Sequence, residues 1–498
     1  MRKLFSIITI LALVTACGPQ IPTEYHESTS LPQIYPDYID VTIPVNITPL
    51  TFEMDIPTED MAVRFSADNE EIICNGSKAQ PDFDDWKQLT QTAQGKTINV
   101  EVYSLSQGQW TRFKAFNIHV STDSIDPYIS YRLIAPSYVT YDELTINQRC
   151  LENYDEQVIY DNKLCMLTKS GQCINCHNYQ NYNPDRMQFH ARQHLGGTVI
   201  AYDGKIQKIN MSSDSILSAG VYPTWHPWLP LIVYSTNKTV QTFHVTNPDK
   251  IEVYDINSDL IAYDVKKNEV TNIEKDPMEM EVFPFWAPDG KTLYYCSAHF
   301  EYNDTIDPGL EVLHRFSEVK YNIYKKSFNP ETYQFGPREL VFDAESMDKS
   351  ATLPRISPDG RYLMFALAKY GVFHIWHHDA DLWMIDLKTG EARAMEEINS
   401  PDTESYHSWS SNGKWVVFSS RRYDGNYTRP FIAHINQNGH GEKPFELPSA
   451  DPDYHRQFLK CYNIPEFMRG PVTIKPQTFA DVLKGDGNPV KYVQQLNK

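Results

Sequence analysis

The sequence predicts a mainly β protein, with an N-terminal immunoglobulin-like β-sandwich followed by a C-terminal β-propeller of five to seven blades. Three observations carry that reading. Tyr (31) and Phe (23) are abundant in a chain that is 41% hydrophobic and 22% charged, a balance suited to pleated, half-buried surfaces. Short runs between residues 37 and 136 alternate apolar with polar side chains, the pattern of strands with one buried face. Beyond residue 197, one turn-and-strand unit recurs. At 498 residues the chain exceeds the roughly 250 to 300 residues that one core supports, so two or three domains are expected.

Taken in chain order, residues 1–17 read as a secretion leader. Arg2 and Lys3 precede the apolar run from Leu4 to Val14, and small residues lead to Cys17. That run is too short to span a bilayer as a helix. Leu13-Val14-Thr15-Ala16-Cys17 resembles a bacterial lipobox, which implies acylation of Cys17; several acyl chains, each methylene contributing about 0.8 kcal/mol, hold a protein at a membrane. An ordinary leader ending in Ala-Cys is the alternative. Residues 18–36 are polar and Pro-rich and read as a tether, residues 37–136 as the sandwich, and residues 137–196 as an irregular segment rich in Asn, Tyr and Gln. Residues 197–465 hold the propeller and residues 466–498 a C-terminal tail.

The repeated unit has readable physics. Tyr222-Pro223-Thr224-Trp225, Phe283-Pro284-Phe285-Trp286, Leu353-Pro354-Arg355-Ile356 and His407-Ser408-Trp409 each lead through a turn into an apolar strand, at intervals of about 50 to 70 residues. Pro288-Asp289-Gly290, Pro358-Asp359-Gly360 and Ser411-Asn412-Gly413 supply tight turns in which Gly accepts positive φ. Runs such as Trp415-Val416-Val417-Phe418 are apolar on both faces, as a strand between two blades requires. These repeats resemble those of TolB and its relatives, the WD40-like or PD40 repeats, over roughly residues 195 to 450. That resemblance implies six blades.

One motif carries chemistry. Cys173-Ile174-Asn175-Cys176-His177 fits the attachment signature of a c-type haem, in which two thiols three apart grip the porphyrin vinyls and the adjacent imidazole reaches iron. With haem c bound, His177 is the proximal ligand. Met187, His190 and His194 follow at helical spacing, and Met187 or His190 is the candidate for the distal position; Arg192 suits a propionate. Two alternatives stay open: a disulfide or redox pair of Cys173 and Cys176, and a zinc site completed by another His. Cys150 and Cys165 form a further possible pair. The order of sandwich, motif, Phe189-His190-x-Arg192 and propeller resembles a group of Bacteroidetes lipoproteins described as TolB-like.

Charge and missing motifs narrow the function. A formal net charge of −19 repels phosphate backbones, so nucleic acid is excluded as a partner. No Gly-x-Ser-x-Gly, Walker loop or dinucleotide fingerprint occurs, and no catalytic constellation is recognised. The expectation is therefore a lipoprotein of the cell envelope, anchored through Cys17 and assigned to the outer membrane without a choice of face. Its propeller would be a binding platform, and a haem would serve electron transfer or redox sensing. The alternative is a non-redox scaffold that binds a protein or glycan, with Cys173 and Cys176 structural. The dense cluster His374-Ile375-Trp376-His377-His378 reads as a solvated blade-edge loop rather than a metal site.

Overall fold

The computed structural model describes residues 18–136, 143–165 and 173–497. Cys17 and the expected leader lie outside them. Six four-stranded units stand around a central channel, and each innermost strand packs beside the next until the ring closes. Blade 2 runs outward through Ile174–Gln180, Asn183–Ala191, Gly197–Tyr202 and Lys205–Asn210. Blades 3 to 6 begin with the inner strands Gly220–Trp225, Glu279–Trp286, Ser350–Ile356 and Glu404–Trp409. Blade 1 is assembled from both ends of the fold: Tyr128–Ile134, Thr145–Cys150 and Glu156–Asp161 form its outer part, and Cys461–Met468 pairs antiparallel with Tyr128–Ile134 as its inner strand.

A shared irregularity marks every inner strand. The register slips at a matching place in each, and there Cys176, Tyr222, Phe283, Leu353, Tyr406 and Ile464 take φ between 48° and 56°. A non-glycine residue held left-handed costs about 1 kcal/mol or more, so six such sites persist only because the ring over-determines them. A bulge re-aims side chains, and here it turns six residues toward the channel axis, where Cys176, Tyr222, Phe283, Leu353, Tyr406 and Ile464 line a narrow waist. The residue after each is Pro223, Pro284, Pro354 or Pro465 in four copies and His177 or His407 in two. Proline suits a bulge because no ladder hydrogen bond is asked of it.

The Pro-Asp-Gly turns follow directly. Asp289 Oδ1 accepts from the backbone N–H groups of Lys291 and Thr292 at 2.8 and 3.1 Å, and Asp359 and Asn412 do the same for Arg361 and Lys414. The first copy lacks this acceptor, and His226 Nδ1 takes the N–H groups of Trp228 and Leu229 instead, at 3.3 and 3.1 Å. Gly290 is required twice over: its φ is +56°, and a Cβ there would sit 2.4 Å from the Trp228 ring.

The N-terminal unit holds a seven-stranded sheet built on Asp60–Ala67 and Thr97–Ser106, a three-stranded sheet, and a helix, Phe83–Thr92, that buries Trp86 and Leu89. The helix and two parallel edge pairings, of His26–Glu27 and Thr42–Ile43, depart from the expected immunoglobulin-like arrangement. Its core is continuous with Trp415, Val417, Ile432 and Phe445 of blade 6. Across that seam Asp126 accepts from the N–H and hydroxyl of Ser411, both at 2.6 Å.

Four expected boundaries move. Tyr128–Ile134 leaves the sandwich for blade 1 because its partner strand is the distant Cys461–Met468. The segment 137–196, read as irregular, contributes strands to blades 1 and 2; its buried Asn147, Gln148, Gln180 and Gln188 hide the alternation that marks strands. The presumed tether 18–36 contains Ile34–Tyr35, buried in the three-stranded sheet. The presumed tail 466–498 ends the blade 1 strand, then forms the helix Pro476–Lys484 and two short strands on the edges of blades 2 and 3.

Candidate functional site at the channel axis

The channel widens on either side of the waist. One mouth holds a cavity of about 430 Å³ with walls from five of the six blades. Blade 2 supplies Cys173, Asn175, His190 and Arg192 to it; Arg132 and Asn463 come from blade 1, Tyr222 from blade 3, and Tyr406 and Arg421 from blade 6. The opposite mouth, about 390 Å³, is lined by Trp225, Trp228, Trp286, Trp409, Phe285 and other groups. Between them the waist cavity is about 20 Å³, room for roughly one water.

Local structure explains the first mouth. The inner strand Ile174–Gln180 pairs with Asn183–Ala191 so that Asn175 lies opposite His190, and the Arg192 N–H donates to the Cys173 carbonyl at 2.8 Å. Four residues distant from one another in helical terms are thus brought together by a hairpin. His190 Nδ1 lies 3.2 Å from Thr198 Oγ1, and burial, with Arg192 nearby, pulls its pKa down to about 3, so the imidazole is neutral. Arg132 donates to the Ile174 carbonyl and to Asn463 Oδ1, each at 3.2 Å. Arg421 donates from Nε to the Ile375 carbonyl at 2.6 Å, and its guanidinium carbon lies 3.5 Å from the Trp376 ring centroid. Burial lowers its pKa to about 10, which leaves it charged at neutral pH.

The three groups of the Cys-x-x-Cys-His motif do not share one face. Cys173 is half-buried at the wide mouth. Cys176 sits at the waist, where burial pushes its thiol pKa up. His177, 1% exposed, is wedged toward the backbone of Ser130 and Ile464 in blade 1. Burial holds it near pKa 3. His407 is its counterpart in blade 6: it is buried, also near pKa 3, with Nε2 3.0 Å from the Met364 carbonyl of the preceding blade.

These residues do not fit a c-type haem as arranged. The motif lies on an extended strand with a bulge rather than on a helical turn, and the cavity that touches both Cys176 and His177 is the 20 Å³ waist. The expected distal groups part company as well. Met187 and His190, expected on one helical face, lie instead on the strand Asn183–Ala191, where Met187 is buried in the core with Phe189 and His190 lines the wide mouth. The side chain of His194 lies outside the described residues. Cys150 and Cys165 are free thiols, and no group of three or more His, Cys, Asp or Glu among the described residues is placed to hold a metal ion.

The His374–Trp376 turn also differs from expectation. His374 and His377 are buried rather than solvated, His377 lying 3.1 Å from Glu252 Oε1. Sequence reasoning missed Arg132 and Arg421 entirely. The signal for the waist was present, however: Cys176-His177-Asn178-Tyr179 and Ile464-Pro465-Glu466-Phe467 are two more copies of the unit exemplified by Tyr222-Pro223-Thr224-Trp225.

The ring of six four-stranded units makes the chain a propeller, and solved structures that match it include β-propeller proteins. One is the β-propeller domain of the Trilobed protease from Pyrococcus furiosus, at 11% identity and TM-score 0.32, covering 83% of this chain and 98% of that one. Another is prolyl oligopeptidase B from Galerina marginata, at 10% identity and TM-score 0.34, covering 66% of this chain. This chain spans about half (52%) of that protein's length. A DUF4784 family protein from Bacteroides caccae matches at 9% identity and TM-score 0.27, over 74% of this chain and 95% of that one. At such similarity none of them carries an argument about this chain. No family model matches the chain, and no curated protein matches it. Among the described residues no helix is long and apolar enough to cross a membrane.

Proposed function

We propose that this protein is a lipid-anchored component of the cell envelope whose propeller is a ligand-binding platform, with the wide axial mouth as its site. The observation that carries the reading is a cavity of about 430 Å³ framed by five blades, within the size range of small-molecule sites. The inner strands reach this cavity at Asn175, Tyr222, Tyr406 and Asn463 and are held there by their bulges, and a wall part formed in advance favours binding by preorganisation. The lipobox-like segment ending at Cys17 supports the anchor, and the turn-and-strand repeats that resemble TolB support a binding rather than a catalytic role. Cys173 and Cys176 then serve the pocket wall and the waist.

A thermal-shift screen of glycans and peptides against the Cys17→Ala chain tests this. A ligand present at 100 times its Kd stabilises the fold by about 2.7 kcal/mol, a readable shift in Tm. The reading requires at least one such ligand and loss of its effect in Ala219→Trp, which places an indole in the mouth lined by Ala219. Binding that survives the obstruction would place the site elsewhere.

A further inference from the structure

The wide mouth has an unusual charge. Arg132, Arg192 and Arg421 line it, and no Asp or Glu does among the described residues, in a chain whose formal net charge is −19. Arginine buried in proteins is ordinarily matched by a carboxylate, because desolvating the cation is expensive. Here Arg421 is 2% and Arg132 8% exposed, and the hydrogen bonds that hold them in place go to neutral oxygens: Ile375 and Asn426 carbonyls for Arg421, and the Ile174 carbonyl and the Asn175 and Asn463 amides for Arg132. Asp402, Asp424 and Asp255 do not line the mouth. Asp402 and Asp424 act on Arg421 through space, and Asp255 is held by Asn237 and Tyr321. Tyr222, Tyr406 and Trp376 add aromatic surface to the same cavity.

We propose that the wide axial mouth recognises an acidic group, a carboxylate, sulfate or phosphate, carried on a compact organic ligand. The inference rests on the reading of this mouth as a ligand site and names the chemistry it selects. A guanidinium presents donors in a planar fork that matches these oxyanions. The anion gives Arg132 and Arg421 a counter-charge that no described residue lining the mouth supplies, and the aromatic surface takes the body of the ligand.

Cys173 is a built-in probe. It is half-buried on this mouth, whereas the other described cysteines are buried; Cys461 lines the same cavity and is therefore also replaced by serine in the chain that is labelled. In the Cys17→Ala, Cys461→Ser chain, the rate of Cys173 modification by the anionic ethylsulfonate methanethiosulfonate is compared with that by the cationic trimethylammonium reagent, with free cysteine as the baseline. The anion-to-cation ratio is expected to rise at least tenfold above baseline, to fall back in 1 M salt, where the Debye length is about 3 Å, and to drop at least threefold in Arg192→Gln of unchanged Tm. A ratio at or below baseline overturns the acidic ligand and leaves an open pocket. No reaction with either reagent overturns the pocket and with it both readings.

A second arm uses D-glucuronate, glucose 6-sulfate, glucose 6-phosphate and glucose to protect Cys173 from a neutral thiol reagent. Saturable protection by one or more of the three anions but not by glucose is the expected result and tells the oxyanions apart. Equal protection by glucose, or none by any anion, overturns the proposal.

Discussion

The inner strands of blades 2 and 6 perform the same structural task with different chemistry on show. Each carries a left-handed residue at the waist, Cys176 or Tyr406, followed by a buried histidine facing the preceding blade, His177 or His407. Of these two, only blade 2 has a thiol three positions earlier, Cys173, and that spacing makes its strand look like a haem signature; blade 1 carries a thiol at the same place, Cys461 before Ile464, with no second thiol or histidine after it. The comparison teaches that His177 belongs to the ring and Cys173 to the pocket. A motif that reads as one device in sequence divides between scaffold and site once the strand is bulged.

Removing the two histidines tests the equivalence most severely. His177→Ala and His407→Ala should each cost about 2 to 4 kcal/mol in chemical denaturation, through lost contacts and a cavity between blades. Similar values support a shared role, whereas a stable His177→Ala beside a crippled His407→Ala would break it. Acid should act through the same pair. Both imidazoles are neutral when folded, near pKa 3, against about 6.5 unfolded, so the unfolded chain binds the extra proton and stability present above pH 6.5 is lost as pH falls toward 3.

The slope is up to about 1.4 kcal/mol per pH unit for each histidine. It is read as the difference between wild type and His407→Gln from pH 6.5 to 5, because Glu466, raised by burial to about 7, shifts the absolute curve the other way. An identical pH dependence in the two proteins would contradict the assignment. The thiols should separate: Cys176→Ser, which puts a hydroxyl into the buried waist, is expected to cost about 1 to 2 kcal/mol, and Cys173→Ser, at the open mouth, less than about 0.5 kcal/mol. Matched losses would instead indicate a coupled pair. The last contrast is the sharpest for the comparison. Four of the six copies have Pro where His177 stands, so His177→Pro should be more stable than His177→Ala by about 1 kcal/mol, read as a higher Tm, whereas His177→Pro less stable than His177→Ala would contradict the equivalence.

What was legible in the sequence follows from where the signal is local. Blades 3 to 6 were visible because aromatic strand ends, Pro-Asp-Gly or its variants and apolar second strands lie within a few residues of one another. Blade 2 was hidden by its turn: Asn181 and Tyr182 both take positive φ, 48° and 63°, in a two-residue hairpin between Gln180 and Asn183, and Tyr is a poor advertisement for such a turn. Blade 1 was hidden by distance, since Cys461–Met468 meets Tyr128–Ile134 more than 300 residues earlier. Its interior polar residues, Ser130, Gln148 and Arg149, also erase the hydrophobic alternation. At the site, Cys173, His190 and Arg192 were singled out and do meet at one mouth, although by hairpin pairing rather than on a helix. Arg132 and Arg421 carried no local pattern at all, because only ring closure brings them to the axis.

The central claim is that Cys173, Cys176 and His177 form part of a propeller blade instead of gripping a porphyrin. The absorption spectrum of the Cys17→Ala chain, expressed in a host with active haem-attachment machinery and purified under denaturing conditions that retain only covalent haem, tests it directly. A colourless protein with no Soret band is the predicted result. A Soret band that disappears in Cys173→Ala would contradict the account.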